Sequence, residues 1–202
     1  MRVAIAVVLA LNVVRAEAAV LPECADHRDH GRTEAAETCY EAALRRERDP
    51  RVLAEAQWRL GRRQEANALF RRAVAERPKD PEPRIAWGRL FLDSHNGAEA
   101  AKLFEEALGL QEKSAGARLG LALVAADNFD ERAKQHAQWA LDIDPRLAEA
   151  HLLMARLDLE EERTREAEAH LHEAEALPGS PLPALALRAA QAWSRARTPA
   201  RG

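Results

Sequence analysis

Two cysteines and two histidines near the N-terminus are the residues with the clearest chemical potential. Cys24, His27, His30 and Cys39 lie close together in the sequence, and thiolate and imidazole groups are the usual protein ligands of zinc. Their spacing matches no familiar zinc-finger pattern. In an oxidising compartment two cysteines pair by default. We therefore predict a Cys24–Cys39 disulfide and no cofactor, with metal binding by the four residues as an alternative.

The other reactive side chains do not form a catalytic or metal-binding arrangement. His170 and His172 are two residues apart on a predicted helix, so their side chains diverge by about 200° and cannot share a metal ion. Exposed polar faces explain both histidines better. Ser94 and His95 lie in a predicted turn, and no acidic residue is placed to orient the imidazole. The chain also lacks a P-loop, a G-x-G-x-x-G motif and an H-E-x-x-H motif. We predict a protein that is not an enzyme.

The first 19 residues differ from the rest of the chain. Arg2 is followed by an apolar run from Val3 to Val14, and Ala16-Glu17-Ala18 resembles a cleavage site. This order is typical of a secretory signal peptide, and the run is short for a membrane span. The pattern predicts an extracytoplasmic protein, periplasmic or secreted, with no membrane segment in its mature form. An uncleaved anchor is the alternative.

The elements that must position any functional residue are short helices. The stretch from Trp87 to Leu108 predicts two amphipathic helices joined by a turn at His95-Asn96-Gly97, because its apolar residues recur every three or four positions. Asn96-Gly97 favours a turn, since both residue types tolerate positive φ. Gly88 and Ala100 are small where the helices should cross, which lets the backbones approach and leaves space beside them for Trp87, Phe91 and Phe104.

The second helix of this hairpin recurs along the chain. Its pattern is an alanine, a large apolar residue four later, a second alanine three after that, and often a proline. The leading alanines are 34, 33 and 34 residues apart. Three of the copies are Ala66, Phe70, Ala73 and Pro78; Ala133, Ala137, Ala140 and Pro145; and Ala167, Leu171, Ala174 and Pro178. This period indicates an array in which neighbouring hairpins bury one another's apolar faces.

In these residues the chain resembles the tetratricopeptide repeat family, whose signature is W-x2-L-G-x2-Y, then A-x3-F, then P. The matching positions in the central hairpin are Arg84, Trp87, Gly88, Phe91, Ala100 and Phe104. Arg84 stands where the family has tryptophan, and we expect it to be exposed. The resemblance implies an all-α, right-handed superhelical solenoid of antiparallel helix hairpins.

Five segments follow from these patterns. Residues 20–30 are polar and predict irregular structure, whereas Gly31 to Arg46 predicts a long helix. Asp49-Pro50 predicts the start of the next helix, with Asp49 as its N-cap. The predicted segments are a signal peptide (1–19), a cysteine-containing cap with a partial repeat (20–48), about four repeats (49–178), a C-terminal capping helix (179–196) and a disordered tail (197–202).

Charge is unevenly distributed. Residues 40–77 hold ten arginines and six acidic residues, whereas residues 127–175 hold fourteen acidic and six basic residues. The formal net charge of −3 and the acidic second half disfavour nucleic-acid binding. Two explanations of this charge asymmetry are open. One is that the charges simply lie on solvated outer helix faces, and the other is that the separation of positive and negative surface orients a partner.

The resemblance implies that the first helix of each repeat lines a concave face that binds a protein or peptide. Projected onto this chain, the outward residues are Trp58, Arg59, Ile85, Arg89, Leu92, Leu119, Leu123, Leu152, Arg156 and Leu159. The family's carboxylate clamp uses lysine and asparagine at such positions, and neither is present, so an apolar helix or extended peptide fits better. The alternative is that several of these leucines belong to the core between repeats.

The leading hypothesis is a non-catalytic binding scaffold outside the cytoplasm. The second is that the chain is the N-terminal repeat module of a larger exported enzyme, such as a peptidase-like protein. The third is metal binding by Cys24, His27, His30 and Cys39. The sequence leaves the partner and the oligomeric state open.

Overall fold

The computed structural model describes residues 21–177. The predicted signal peptide, capping helix and tail lie outside these residues. The described residues form ten α-helices and no β-strand. The helices are α1 (Pro22–Asp29), α2 (Thr33–Arg46), α3 (Pro50–Arg59), α4 (Arg63–Glu76), α5 (Glu82–Asp93), α6 (Gly97–Leu110), α7 (Ala115–Asp127), α8 (Arg132–Ile143), α9 (Ala148–Glu160) and α10 (Thr164–Ala176).

Successive helices pair into five hairpins that stack along one axis. The second helix of each hairpin also packs against the first helix of the next, so α2 contacts α3, α4 contacts α5, α6 contacts α7 and α8 contacts α9. The first helices α3, α5, α7 and α9 also contact one another in sequence. Within residues 21–177, no two successive second helices contact each other to the same degree. The first helices therefore form the inner layer of a curved array, and the second helices form the outer layer.

The ring of Phe104 fills the centre of the array. Phe104 is fully buried with Ile85, Ala100 and Ala117. A Cβ atom added to Gly88 of α5 would lie 2.7 Å from Cε1 of the ring, and one added to Gly120 of α7 would lie even closer. The predicted close approach at Gly88 is confirmed, and the structure adds a second glycine on the other side of the ring.

Replacing Gly120 with alanine is expected to destabilise the protein by about 1–3 kcal/mol, because the buried ring of Phe104 would have to move in a packed core. Gly109 of α6 is a matched control, since a Cβ atom there would have no neighbour within 4 Å. Gly109→Ala should stabilise the helix by roughly 0.5–1 kcal/mol. Urea unfolding of both variants measures the difference, and equal effects at the two glycines would contradict this packing.

Each hairpin turn places one residue in the left-handed region, at Gly31, Gly61, His95, Phe129 and Glu162. In the central hairpin that residue is His95, with φ of 54°, rather than the predicted Asn96-Gly97. The N–H of Asn96 donates to the carbonyl of Phe91 at 2.9 Å, which is the hydrogen bond of a Schellman motif. Asn96 itself has φ of −105° and caps α6 by accepting from the N–H of Glu99. The turn lies where the sequence predicts it, but its left-handed residue is His95, because asparagine serves the following helix as an N-cap.

The predicted N-cap of α3 is confirmed. The N–H of Arg51 donates to Asp49 Oδ1 at 2.8 Å, and the Arg77 side chain donates to the same atom at 2.6 Å. Partial burial of Asp49 acts in the opposite direction, but these hydrogen bonds lower the pKa of its carboxyl group. The cap therefore keeps its charge and also ties α4 to the start of α3.

The structure also differs from the sequence-based expectation at residues 22–29 and at Arg84. Residues 22–29, expected to be irregular, form α1, which begins at Pro22 and buries Cys24. Cys24 and Cys39 form the predicted disulfide, which fastens α1 to α2.

Arg84, expected to be exposed, has only 13% of its side chain accessible. Its guanidinium donates to Glu106 of α6 and to the carbonyl of Asp80. The methylene groups of its side chain take the place of the apolar tryptophan that the family has at this position.

Candidate partner-binding cavity on the concave face

The inner layer of helices lines a cavity of about 230 Å³ that is open to solvent. It is bounded by α1, α2, α3 and α5, and the start of α9 closes it from the far side. The apolar part of its lining consists of Leu21, Ala25, Tyr40, Trp58, Ile85, Ala86 and Leu147. These positions come from the inward faces of first helices, apart from Tyr40 on α2 and the two residues Leu21 and Leu147, which lie just before α1 and α9.

Charged side chains of both signs surround this apolar lining. They are Arg28, Arg51, Arg59, Arg89, Glu55, Glu82 and Glu149. Arg59 and Glu55 are 2.8 Å apart, Arg89 and Glu149 are 3.0 Å apart, and Arg51 and Glu82 are 3.9 Å apart. Solvent-accessible ion pairs of this kind contribute little net stability.

Trp58 and Arg59 form one wall of the cavity. Trp58 is 7% exposed, and the guanidinium carbon of Arg59 lies 3.8 Å from the centre of the Trp58 ring. Such stacking holds a cation over the aromatic face and fixes its direction. Burial raises the pKa of the Tyr40 hydroxyl, although the charges of Arg28 and Arg59 act against it. Tyr40 therefore stays neutral, and the positive charge at this wall comes from the arginines.

The structure brings four of the predicted binding residues into this cavity, namely Trp58, Arg59, Ile85 and Arg89. The others do not line it. Leu119 is completely buried, and it belongs to the core formed by α7, α8 and α9. Leu92 and Leu123 pack partly buried against two core clusters. Leu152, Arg156 and Leu159 are half-buried on α9. Leu119 is therefore a core residue, as in the alternative that the sequence left open, and the binding role of the other five residues stays a prediction.

Several lining residues carried no recognisable signal in the sequence. Leu21, Ala25 and Arg28 enter the cavity because α1 is helical, and the one clue was Pro22 at a position that favours the first turn of a helix. Leu147 and Glu149 lie about sixty residues after Arg89 in the chain. They reach the cavity only through the curvature of the array, and nothing in a local pattern predicts that curvature.

A second polar cluster joins α8, α9 and α10. Asp158 has 5% of its side chain exposed and lies 2.6 Å from Lys134 and 3.0 Å from Arg163. His151 Nε2 donates to the carbonyl of Pro145 at 3.0 Å, because a carbonyl only accepts. His170 Nδ1 and His151 Nδ1 lie 3.1 Å apart, within hydrogen-bond distance. The cluster pairs its polar atoms within the protein, which is the behaviour of a structural network.

His170 was expected on an exposed polar face, but it is half-buried between His151 and Asp158. Burial lowers the pKa of its imidazole. His172 is exposed, as expected. The rings of His170 and His172 therefore lie in different surroundings, as their two-residue spacing on a helix predicts.

The candidate chemical groups do not assemble into a reactive site. Ser94 Oγ donates to the carbonyl of Leu90 at 2.9 Å, so the hydroxyl is used within its own hairpin. The Cys24–Cys39 disulfide uses both thiols that the alternative zinc site would need. Across residues 21–177, no group of three or more His, Cys, Asp or Glu side chains is placed to hold a metal ion. Over the same range, no helix is long and apolar enough to cross a membrane.

Comparison with known proteins identifies the architecture. A family model described as tetratricopeptide repeat matches residues 25–81 and 85–146, more than half of the chain. No match was found among curated protein sequences.

Solved structures share the fold at low sequence identity. A thermophilic TPR protein of Thermus thermophilus, TTC0263, is 22% identical with a TM-score of 0.67, over 88% of this chain and 97% of that one. PilF of Pseudomonas aeruginosa is 18% identical with a TM-score of 0.60, over 88% and 83% of the two chains. YrrB, described as a TPR protein with an unusual peptide-binding site, is 16% identical with a TM-score of 0.53, over 84% and 90%. These likenesses show the all-α, right-handed superhelical solenoid that the sequence predicts.

Proposed function

Because this chain belongs to the tetratricopeptide repeat family, we propose that it is a non-catalytic scaffold that holds a protein or peptide in its concave cavity. The observation that carries this proposal is the cavity itself. A cavity of about 230 Å³ is lined by seven apolar or aromatic residues and by seven arginines and glutamates, six of which are ion-paired with one another. Binding sites commonly combine an apolar pocket with a few directional polar groups.

The size of the cavity indicates what enters it. A cavity of roughly 150 Å³ is enough for a benzene molecule, and this one is larger. One aromatic or branched side chain of a partner therefore fits, with the rest of the partner lying across the opening. The paired charges at the rim then contact the partner's backbone and its flanking side chains. This arrangement favours an extended segment or a short helix with a single apolar anchor.

The low identity of the similar structures means that they support the fold alone. YrrB is described as having a peptide-binding site, and that description applies to YrrB. The proposal that this chain binds a peptide depends on its own cavity and on the residues that line it. The formal net charge of −3 supports a protein or peptide ligand rather than nucleic acid.

The proposed setting is outside the cytoplasm. Two observations support it. The first is the signal-like composition of residues 1–19. The second is the Cys24–Cys39 disulfide, since structural disulfides persist in oxidising compartments. N-terminal sequencing of the protein recovered from its native cells tests this assignment, and a chain beginning at Met1 would contradict the predicted signal cleavage.

Blocking the cavity should weaken partner binding without unfolding the protein. Ala25 of α1 lines the cavity and is only partly buried, so the indole of an Ala25→Trp variant can fill the space that a ligand would occupy. Ala25→Ser is the matched control, because it leaves the cavity open. In selection from a displayed peptide library, we expect the wild type and Ala25→Ser to enrich the same peptides with one apolar anchor.

For those peptides, Ala25→Trp should weaken binding at least about tenfold, which corresponds to roughly 1.4 kcal/mol. Titration calorimetry of each variant measures the ratio, and circular dichroism checks that the helix content is unchanged. If the Ala25→Trp variant binds the selected peptides as tightly as the wild type, the cavity is not the binding site.

A further inference from the structure

Phe129 is the most exposed large hydrophobic residue within residues 21–177. It lies in the turn between α7 and α8, and its side chain is 93% exposed. Its φ of 54° places it in the left-handed region, which is unfavourable for a bulky residue. Phe129 therefore combines an exposed aromatic ring with a strained backbone conformation.

The equivalent turns show that the fold does not require phenylalanine there. The same left-handed position is occupied by Gly31, Gly61, His95 and Glu162 in the other four hairpins. The hydrogen bond that closes the turn is also the same. The N–H of Asp130 donates to the carbonyl of Ala125 at 2.9 Å, as the equivalent amide does at 2.8–2.9 Å in the central and last hairpins. Since glycine or a polar residue occupies this position in the other hairpins, the aromatic ring of Phe129 is not needed to form the turn.

The residues beside Phe129 are acidic. Asp127 and Glu131 are exposed, and Asp130 accepts from Arg132 at 2.6 Å. The side-chain hydrogen bond from Arg132 lowers the pKa of Asp130 to about 2, so its carboxylate stays ionised near neutral pH. Residues 127–131, here called the acidic turn, thus present one aromatic ring among three carboxylates at the tip of a hairpin.

The concave cavity has the complementary composition. Four arginines and three glutamates surround its apolar lining, and the basic excess of residues 40–77 lies in the same half of the array. Its volume of about 230 Å³ exceeds the roughly 150 Å³ that accommodates benzene. An aromatic ring therefore matches this cavity in size, and the one positive charge in excess on its lining, together with the basic excess of residues 40–77, favours carboxylates beside that ring.

We propose that the acidic turn of one molecule inserts Phe129 into the concave cavity of a second copy of this chain. The inference rests on the proposed function, because it uses the same cavity as the binding site. Since Phe129 is almost fully exposed, the ring does not occupy the cavity of its own molecule. Complementary charge between the acidic second half and the basic first half orients the encounter.

The contact is heterologous, because the acidic turn and the cavity are different surfaces of one chain. Each added molecule leaves one acidic turn and one cavity open, so association proceeds head to tail and does not stop at a dimer. A contact through one turn buries little surface, and small interfaces of this kind are transient. Self-association then competes with any other partner for the cavity.

The test uses two variants that each lack one half of the contact. Phe129→Gly removes the ring and relieves the left-handed strain, so its melting temperature should be no lower than that of the wild type. Phe129→His, the residue of the preceding turn, is a second variant of the same half. Ala25→Trp fills the cavity and leaves the acidic turn intact, with Ala25→Ser as its control.

Light scattering over a concentration series is expected to show a rising average mass for the wild type and for Ala25→Ser. Phe129→Gly, Phe129→His and Ala25→Trp should each stay monomeric. An equimolar mixture of Phe129→Gly and Ala25→Trp should form dimers and nothing larger, since only one turn and one cavity remain complementary. Added salt should weaken the association, because the attraction between the charged surfaces is screened.

Three results would overturn the proposal. One is a wild type that remains monomeric up to millimolar concentration, and another is a Phe129→Gly variant that associates like the wild type. The third is loss of association in Phe129→Gly with no change in Ala25→Trp, because the turn would then bind another surface.

Peptide binding separates this inference from the proposed function. If peptides bind the wild type and Phe129→Gly but not Ala25→Trp, the proposed function stands whatever the light scattering shows. If the two variants associate only when mixed, while no library peptide binds either the wild type or Phe129→Gly, the self-association stands and the proposed peptide binding fails.

Discussion

Replacing Phe104 with alanine is expected to lower the free energy of unfolding by about 3–5 kcal/mol. The ring is fully buried and lies between α5 and α7, against Gly88 and Gly120. Because neither glycine has a side chain that could move into the space, the cavity left by the substitution would remain largely open. The loss therefore combines the transfer free energy of the ring with the cost of that cavity.

Leu110→Ala on the same helix is the matched control, since Leu110 is 42% exposed. It should cost well under about 1 kcal/mol. Urea unfolding of both variants at one temperature gives the comparison. If Phe104→Ala costs less than about 1 kcal/mol, the ring is not a central contact of the array.

A double-mutant cycle isolates the contact between Phe104 and Gly120. In the Phe104→Ala background the ring that blocks a methyl group at position 120 is absent. Gly120→Ala should then be less destabilising than in the wild type, and the difference is the coupling between the two positions. Additive effects would show that the two residues act independently.

Removing the disulfide is the second change with a large expected effect. A Cys24→Ser, Cys39→Ser double variant should lose about 3 kcal/mol, the value for closing a loop of this size. The two cysteines are 15 residues apart and join α1 to α2. Beyond this bond, α1 is a short polar helix with one buried residue, Cys24, so the bond supplies much of its attachment.

Loss of the disulfide should also impair partner binding, because α1 and the residue before it contribute Leu21, Ala25 and Arg28 to the cavity. In the double variant, the backbone amides of α1 are expected to exchange their hydrogens faster than those of α5 and α6. Treatment of the wild type with a reductant should reproduce both effects, and the same reductant should leave the double variant unchanged. Equal stability of the oxidised and reduced wild type would contradict this role.

The sequence was sufficient to predict the array and its internal contacts. The alanines spaced by 34, 33 and 34 residues lie at positions that are 2% exposed or less. Asp49 caps α3 as its position before Pro50 predicts. These features depend on neighbours within one or two hairpins, and the periodicity of the chain records such contacts directly.

Residues whose surroundings depend on distant helices were predicted less well. Arg84 looked like an exposed departure from the family pattern, yet its side chain is mostly buried, with Glu106 and the Asp80 carbonyl as its partners. Leu119 was projected onto the concave face, yet it packs in the core of α7, α8 and α9. A helical pattern gives the direction of a side chain around its own axis, and it does not say how closely the next hairpin approaches.

The sequence alone determined that this protein is a helical repeat array, because the array follows from local spacing and residue type. The Cys24–Cys39 disulfide was the prediction for two cysteines in an oxidising compartment, with metal binding as its alternative. Only the tertiary structure decided where the cavity lies and what lines it. The curvature that brings Glu149 within 3.0 Å of Arg89 is the sum of packing angles over several hairpins. Small changes in each angle add up along the array, so no single stretch of sequence encodes the result.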